Sequence, residues 1–367
     1  MEVALKDNKT RNSNIELLRI LSMVMIILHH FSLFLELHNM KELSIDSSIG
    51  TFFFVFGKLG VNIFILISGY FLINSKFKAT RIIKLWLQIV FYSVLIMAIL
   101  KFANIISVSW KELYKYFLPI SYHKYWFIST YMYLYLLSPF INKFAKSLKQ
   151  NDYKTLLIIL TVLFSIIYSI IYDSNKYITG TGIFESISWF VYLYLLAGYI
   201  RLYGIKLLQD KKKNIIIACL ALILFLVVIF GSRYIFIEFG KLGNLLKYFT
   251  RMNSIFLLIL AVTIFYIFKN MKERHSKVVN YFGHLTIAVY LIHEHPNLRM
   301  IIWNNVEKIM NHLNMHVILM AILSTIALFV FAAICEFVRE YMLEKNILKL
   351  LKNNKLLEKI DLKMDIN

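Results

Sequence analysis

Residues 17–31 read LLRILSMVMIILHHF, an apolar run that opens near Arg19 and closes on His29 and His30. Working outward, this run is the first of a series. Apolar stretches close to the roughly 20 residues a helix needs to cross the hydrocarbon core recur along the chain. They fall at 14–35, 51–74, 82–102, 124–142, 154–172, 184–203, 214–232, 252–268, 279–297 and 315–340. The expected fold is therefore all-α, a polytopic membrane protein of about ten transmembrane helices. A β-barrel is excluded because the runs are continuous rather than alternating. Hydrophobic residues make up 59% and aromatic residues 16% of the 367 positions, more than a soluble core of that length requires.

The formal charge of +20 resides in short clusters between the runs, which argues for topology rather than nucleic-acid binding. Lys76, Lys78, Arg81 and Lys84 follow the second run, and Lys143, Lys146 and Lys149 the fourth. Lys206, Lys211, Lys212 and Lys213 follow the sixth, and Lys269, Lys272, Arg274 and Lys277 the eighth. Intervening loops such as ELHNMKELSID are poorer in positive charge, so both termini are expected on the cytoplasmic side. One loop dissents: 233–251 carries Arg233, Lys241, Lys247 and Arg251 on the expected outer side, as a functional basic patch or the sign of a misplaced span.

The first run is long and lacks a small-residue cleavage pattern, so it is expected to be retained as a span. Cys219 and Cys335 each lie inside an apolar run and offer neither a disulfide framework nor metal-ligand spacing; no metal is expected. Three segments follow: an N-terminal cytoplasmic tail over 1–13, one transmembrane domain over 14–343, and a basic tail over 344–367. The tail, EKNILKLLKNNKLLEKIDLK, spaces leucine and isoleucine as an amphipathic helix does on an inner membrane surface.

Chemistry gathers at a few polar positions. Arg19 and His30 are eleven residues apart, three helical turns with little angular drift, so they share a face about 16 Å apart along the axis. Arg19 then lies near the inner interface, where Glu16 can hold it, and His30 lies deeper, while His29 points a quarter-turn away. An interfacial arginine that snorkels and a histidine bonded between helices are the plain alternatives. An ionisable pair on one face at depth favours a pathway instead, and an imidazole exchanges protons near neutral pH. Arg81 and Lys84 fall on the same side as Arg19, and three cations there suit a polyanion such as a nucleotide phosphate. In GVNIFILISGYFL, Asn62, Ser68 and Tyr70 are candidate substrate contacts, with close helix packing through Ser68 and Gly69 as the alternative.

YHKYWFISTYMYLYLLSPF crowds His123, Tyr125 and Trp126 at an outer helix end, as an aromatic belt or as a platform for a sugar ring under Trp126. FGHLTIAVYLIHEHP supplies Tyr290, His293, Glu294 and His295, a neighbourhood suited to handling the proton of an acceptor hydroxyl. Adjacent helical residues diverge by about 100°, so only some of these face one cavity, and His293 is favoured.

With these residues in hand, the chain resembles the integral-membrane acyltransferase-3 family, bacterial enzymes that O-acylate surface sugars. The resemblance rests on Arg19, ten residues, then His30; on GVNIFILISGYFL; on YWFISTYMYLYLLSP, WFVYLYLLAGYIRLY and IAVYLIH; and on their order along nearly the whole chain. It implies a plasma-membrane enzyme taking acyl groups from cytoplasmic acyl-CoA, usually acetyl-CoA, to a hydroxyl of a surface or lipid-linked glycan. It further implies that His30 is catalytic, as base or as transient acyl carrier, and that Arg19 is at the donor site. Arg81 and Lys84 stand where the family carries two arginines, so a planar fork is replaced by a point charge at Lys84. No esterase-like domain is expected after the last run. A glycan transporter or flippase is the rival, but repeated halves are not evident and three prolines and twelve glycines leave little for paired broken helices. A polysaccharide polymerase is a second rival that would need no CoA.

Overall fold

The computed structural model describes residues 11–40, 42–122, 124–167, 187–243, 248–341 and 354–365. Among these no strand occurs, and the helices are α1 (Ser13–Phe34), α2 (Ile45–Leu72), α3 (Ala79–Phe102), α4 (Trp110–Phe117), α5 (Trp126–Ser147) and α6 (Gln150–Thr161). α6 passes into a π-helical turn, Val162–Ile167. Then come α7 (Ile187–Leu202), α8 (Lys211–Phe239), α9 (Ile255–Lys269), α10 (Lys277–His293), α11 (Arg299–His312), α12 (Val317–Arg339) and α13 (Lys355–Met364).

Among the described residues, six helices are long and apolar enough to cross a membrane: α1, α2, α3, α6 with its π turn, α8 and α12. Their outward faces fit lipid. Leu220, Ile223, Leu224 and Val227 on α8 are 54–63% exposed, an apolar stripe that water would penalise and a hydrocarbon solvent would not. α7 and α9 are apolar but shorter.

Local chemistry sets the ends. Asn12 caps α1, and Ser44 with Ser47 forms a reciprocal capping box at the start of α2. Asp210 accepts from the N–H groups of Lys212 and Lys213 to start α8, and Gly240, at φ +66°, ends it. α10 stops at His293, three residues before Pro296, and the expected run to 297 is corrected accordingly. α4 and α11 occupy stretches taken as loops in the sequence reading.

The chain divides into two compact parts, and the division falls within α5 and α10. The first comprises Met1–Asn74 and Phe144–Gly283. At its centre lies α2, packed by α1, α7 and α9. Glycines let these backbones approach: a Cβ at Gly57 would overlap the Cβ of His29, and one at Gly60 would meet the Ser22 carbonyl. Gly69 does the same against Tyr194 and Ala197 of α7. The second part comprises Ser75–Lys143 and His284–Asn367, with α4 and α13 packed on α3 and α11 on α12.

The dissenting basic loop also changes. Arg233 belongs to α8, which runs on to Phe239. Its buried guanidinium donates to the carbonyls of His38 (2.9 Å) and Met40 (2.7 Å), so it fastens the turn between α1 and α2. Lys247 lies outside the described residues, as do His123, the end of the 154–172 run, residues 1–10 and residues 342–353.

Candidate functional site

In the first part, α1 carries the two residues singled out by spacing. Arg19 donates to Glu16 at 2.6 Å, and its guanidinium carbon lies 5.9 Å from the centre of the Phe64 ring on α2. Glu16 is itself buried because Gly283, lacking a side chain, leaves room for its carboxylate. Arg19 is thus aimed by a buried acid and an aromatic face while its own side chain stays 22% exposed.

His29 and His30 are sorted by their neighbours. Nδ1 of His29 donates to the Phe54 carbonyl, and its ring lies against Phe54, so this imidazole ties α1 to α2. His30 is buried, with its ring 5.2 Å from His29 and 6.0 Å from Phe34. Of the two adjacent histidines, His30 is the one that eleven-residue spacing puts on the Arg19 face.

Asn62 is fully buried; its amide donates to the Met252 carbonyl (2.7 Å) and accepts from the Trp189 indole (3.0 Å). With both ends of the amide engaged, its work here is to hold α2 against α7 and the segment before α9. Ser68 bonds back to the Phe64 carbonyl of its own helix at 2.9 Å. Tyr70 instead faces a cation: Arg201 donates to its hydroxyl at 2.9 Å, with the guanidinium 4.8 Å from the ring centre.

In the second part, Arg81 and Lys84 are exposed on the first two turns of α3, and Arg81 reaches Ser75 Oγ at 3.4 Å. Trp126 heads α5, half-buried, beside Phe127. Phe127 and Tyr125 carry the aromatic cluster inward to Tyr290, with ring centres 5.5 Å and 6.2 Å away. His293 is fully buried, its Nδ1 donating to the Val289 carbonyl at 2.6 Å. Its ring lies 6.0 Å from Tyr290 and 6.5 Å from Trp303. Glu294, also buried, has Arg299 at 3.9 Å. His295 is consumed: Nε2 donates to the Ser93 carbonyl (3.2 Å) and Nδ1 accepts from the Asn297 N–H (3.2 Å).

Sequence reasoning missed several groups. Lys58, in the apolar middle of α2, places its ammonium 4.4 Å from the Phe54 ring centre, and the rule applied to His30, an ionisable group within a span, would have found it. Near it His38 stacks on Phe54 at 4.0 Å; burial, and then the charge of Lys58, hold its pKa below the ordinary histidine value. Arg201 sits inside a quoted stretch, yet only the fold pairs it with Tyr70. Glu336 lies inside the 315–340 run, where the same rule applies; only its partners gave no signal. It is buried on α12 and accepts from Gln88 (3.0 Å), Tyr92 (2.7 Å) and Arg339 (2.7 Å). His284, Glu336 and Glu340 bring ligand atoms within 4.8 Å of one another, but the guanidinium on Glu336 opposes a cation there.

Comparison with known proteins bears on this arrangement. Neither the curated proteins nor the solved structures yield a match. A family model described as an acyltransferase domain matches residues 12–338, from the cap of α1 to the last turn of α12, and takes in both Arg19–His30 and the His293–Glu294 end of α10. The chain belongs to the acyltransferase-3 family.

Proposed function

We propose that this acyltransferase moves an acyl group, acetyl in the first instance, from cytoplasmic acyl-CoA to a hydroxyl of a cell-surface or lipid-linked glycan. The observation that carries the reading is α1 itself: an arginine aimed by a buried acid and, three turns deeper on the same face, a buried histidine. The enzyme sits in the bacterial plasma membrane as about ten spans with both termini cytoplasmic, the topology the basic clusters favour.

The donor's phosphates engage Arg19, Arg81 and Lys84, and its pantetheine arm extends along α1 so that the thioester meets His30. His30 accepts the proton of the acceptor hydroxyl as the new C–O bond forms. Collapse of the tetrahedral adduct breaks the C–S bond, and the departing CoA thiolate takes that proton back. Atoms and charge balance without a metal or redox partner. Trp126 and Tyr290 serve the acceptor sugar, with His293 and Glu294 orienting its hydroxyl from the outer side.

Mass spectrometry of surface glycans from cells with and without the chain tests the reading. A difference of one acyl group per modified residue is expected. His30→Ala should insert normally and lower transfer by at least about a hundredfold, the usual scale of a lost general base. Loss of the glycan itself, with acylation of the remainder unchanged, would instead make the chain a transporter.

A further inference from the structure

We propose that α13 is an autoinhibitory strap, its carboxylates occupying an anion position at the head of α3 that a phosphate of the acyl donor takes over. The inference rests on the donor reading above and adds regulation to it. α3 starts at Ala79, and its N-cap, Lys78, makes no side-chain cap. First-turn N–H groups there need an acceptor from elsewhere. Asp361 of α13 provides one, its Oδ1 accepting from the Ala79 N–H at 2.7 Å. Asp365, one turn further on, receives Lys76 Nζ at 2.6 Å.

The seating is specific. Asn354 caps α13 by accepting from the N–H groups of Leu356 and Leu357, and Leu357 is buried. Leu357, Asp361 and Met364 recur at i, i+4 and i+7, so the docked face is one stripe of the helix. Opposite it, Leu356 and Leu362 are 65% and 76% exposed.

The target is the same stretch of chain that carries the donor-side cations. Arg81 is two residues beyond Ala79 and Lys84 five, both exposed. A carboxylate oxygen on a free N–H at a helix start stands where a phosphate oxygen stands in phosphate-binding helices. Its hold is modest, since the Lys76–Asp365 pair is largely solvated, with Lys76 78% exposed. A polyanion presenting several oxygens to Lys76, Arg81, Lys84 and the helix start outcompetes two single carboxylates. In the absence of donor the strap lies down; with donor bound it lifts.

The test uses the full chain in lipid nanodiscs. Asp361→Asn keeps an oxygen for the Ala79 N–H while removing the charge, and Asp365→Asn does the same at Lys76. Free CoA is the probe, read as the dissociation constant and as the shift in melting temperature, with KM for acetyl-CoA in parallel. Each variant should tighten CoA, the pair together by about three- to tenfold, with kcat unchanged. Equal or weaker CoA binding in both single variants overturns the strap, and a lower melting temperature alone would make Asp361 simply a cap for α3. If no protein in the set, the parent included, responds to CoA, the donor reading falls first and takes this inference with it.

Discussion

Two Glu-x-x-Arg pairs stand at helix ends in this chain, Glu16–Arg19 at the start of α1 and Glu336–Arg339 at the end of α12, and each closes an ion pair across one turn. Their lengths are nearly equal, 2.6 Å and 2.7 Å, but their surroundings differ. Glu336 is 1% exposed, and Gln88, Tyr92 and Arg339 all converge on its two oxygens, so the carboxylate is saturated from inside the protein. Arg339 is correspondingly buried, at 9%. The Arg19 side chain keeps more than twice that exposure, 22%, and one flank of its guanidinium is set by Phe64. One pair locks helices together. The other aims a cation. Only the environment distinguishes them, because the sequence device is the same.

The largest break in the comparison is expected at α12. Glu336→Ala leaves the Arg339 charge, the Gln88 amide and the Tyr92 hydroxyl buried without their common acceptor. Removing one member of a buried ion pair typically costs about 3–5 kcal/mol. The variant should therefore show a sharply lower melting temperature and yield in detergent, while the fraction that folds retains its KM for acyl-CoA. Glu336→Gln, which keeps an acceptor for the tyrosine, should fall between. An unaltered melting temperature in the alanine variant would mean that the network does not hold α3 to α12.

Arg19 is expected to invert that pattern. Because its head is partly solvated and its pair exposed on one side, Arg19→Ala should change stability by no more than about 1 kcal/mol. On the proposed donor reading its effect should appear in KM for acyl-CoA, raised about tenfold, the scale of one lost charge-assisted contact to phosphate. Arg19→Lys should recover only part of this, since an ammonium cannot reproduce a planar fork beside Phe64. If Arg19→Ala instead unfolds the chain with KM intact, the two pairs are the same kind of structural clasp.

How much of this was legible beforehand follows from where each signal is stored. The eleven-residue interval between Arg19 and His30 is geometry that a single helix guarantees, so their shared face could be read directly. Helix class followed from run length, with six helices long enough to span. α4 and α11 escaped because they are short and amphipathic, with no apolar run to announce them. The bonds that Asn62 makes, to Met252 and Trp189, reach 190 and 127 residues along the chain. The partners of Glu336 drew no notice for the same reason: Gln88 and Tyr92 are more than 240 residues upstream. Asp361 is likewise far in sequence from Ala79. Periodicity reports a residue's own helix. It carries nothing about which distant side chain completes a hydrogen bond.

Gly283 offers the finest test of the comparison, because it alters the aim of Arg19 without touching either charged residue. A Cβ placed there would overlap the Glu16 carboxylate and press on the Glu16 Cβ at 3.0 Å. Glu16 is buried and anchored on α1, so its carboxylate must turn away, and Arg19 loses its guide while keeping its charge. Gly283→Ala lies within α10, where alanine is intrinsically the better helix former by about 1 kcal/mol, which offsets part of the steric strain. Stability should therefore move little, and KM for acyl-CoA should rise about two- to fourfold, less than for Arg19→Ala, as expected from loosening a pair rather than deleting it. Combined with Glu16→Gln, the glycine substitution should add nothing further to KM, since both act through the same carboxylate. Full additivity of the two would show that Glu16 does not set the direction of Arg19, and the contrast with the saturated pair on α12 would then rest on exposure alone.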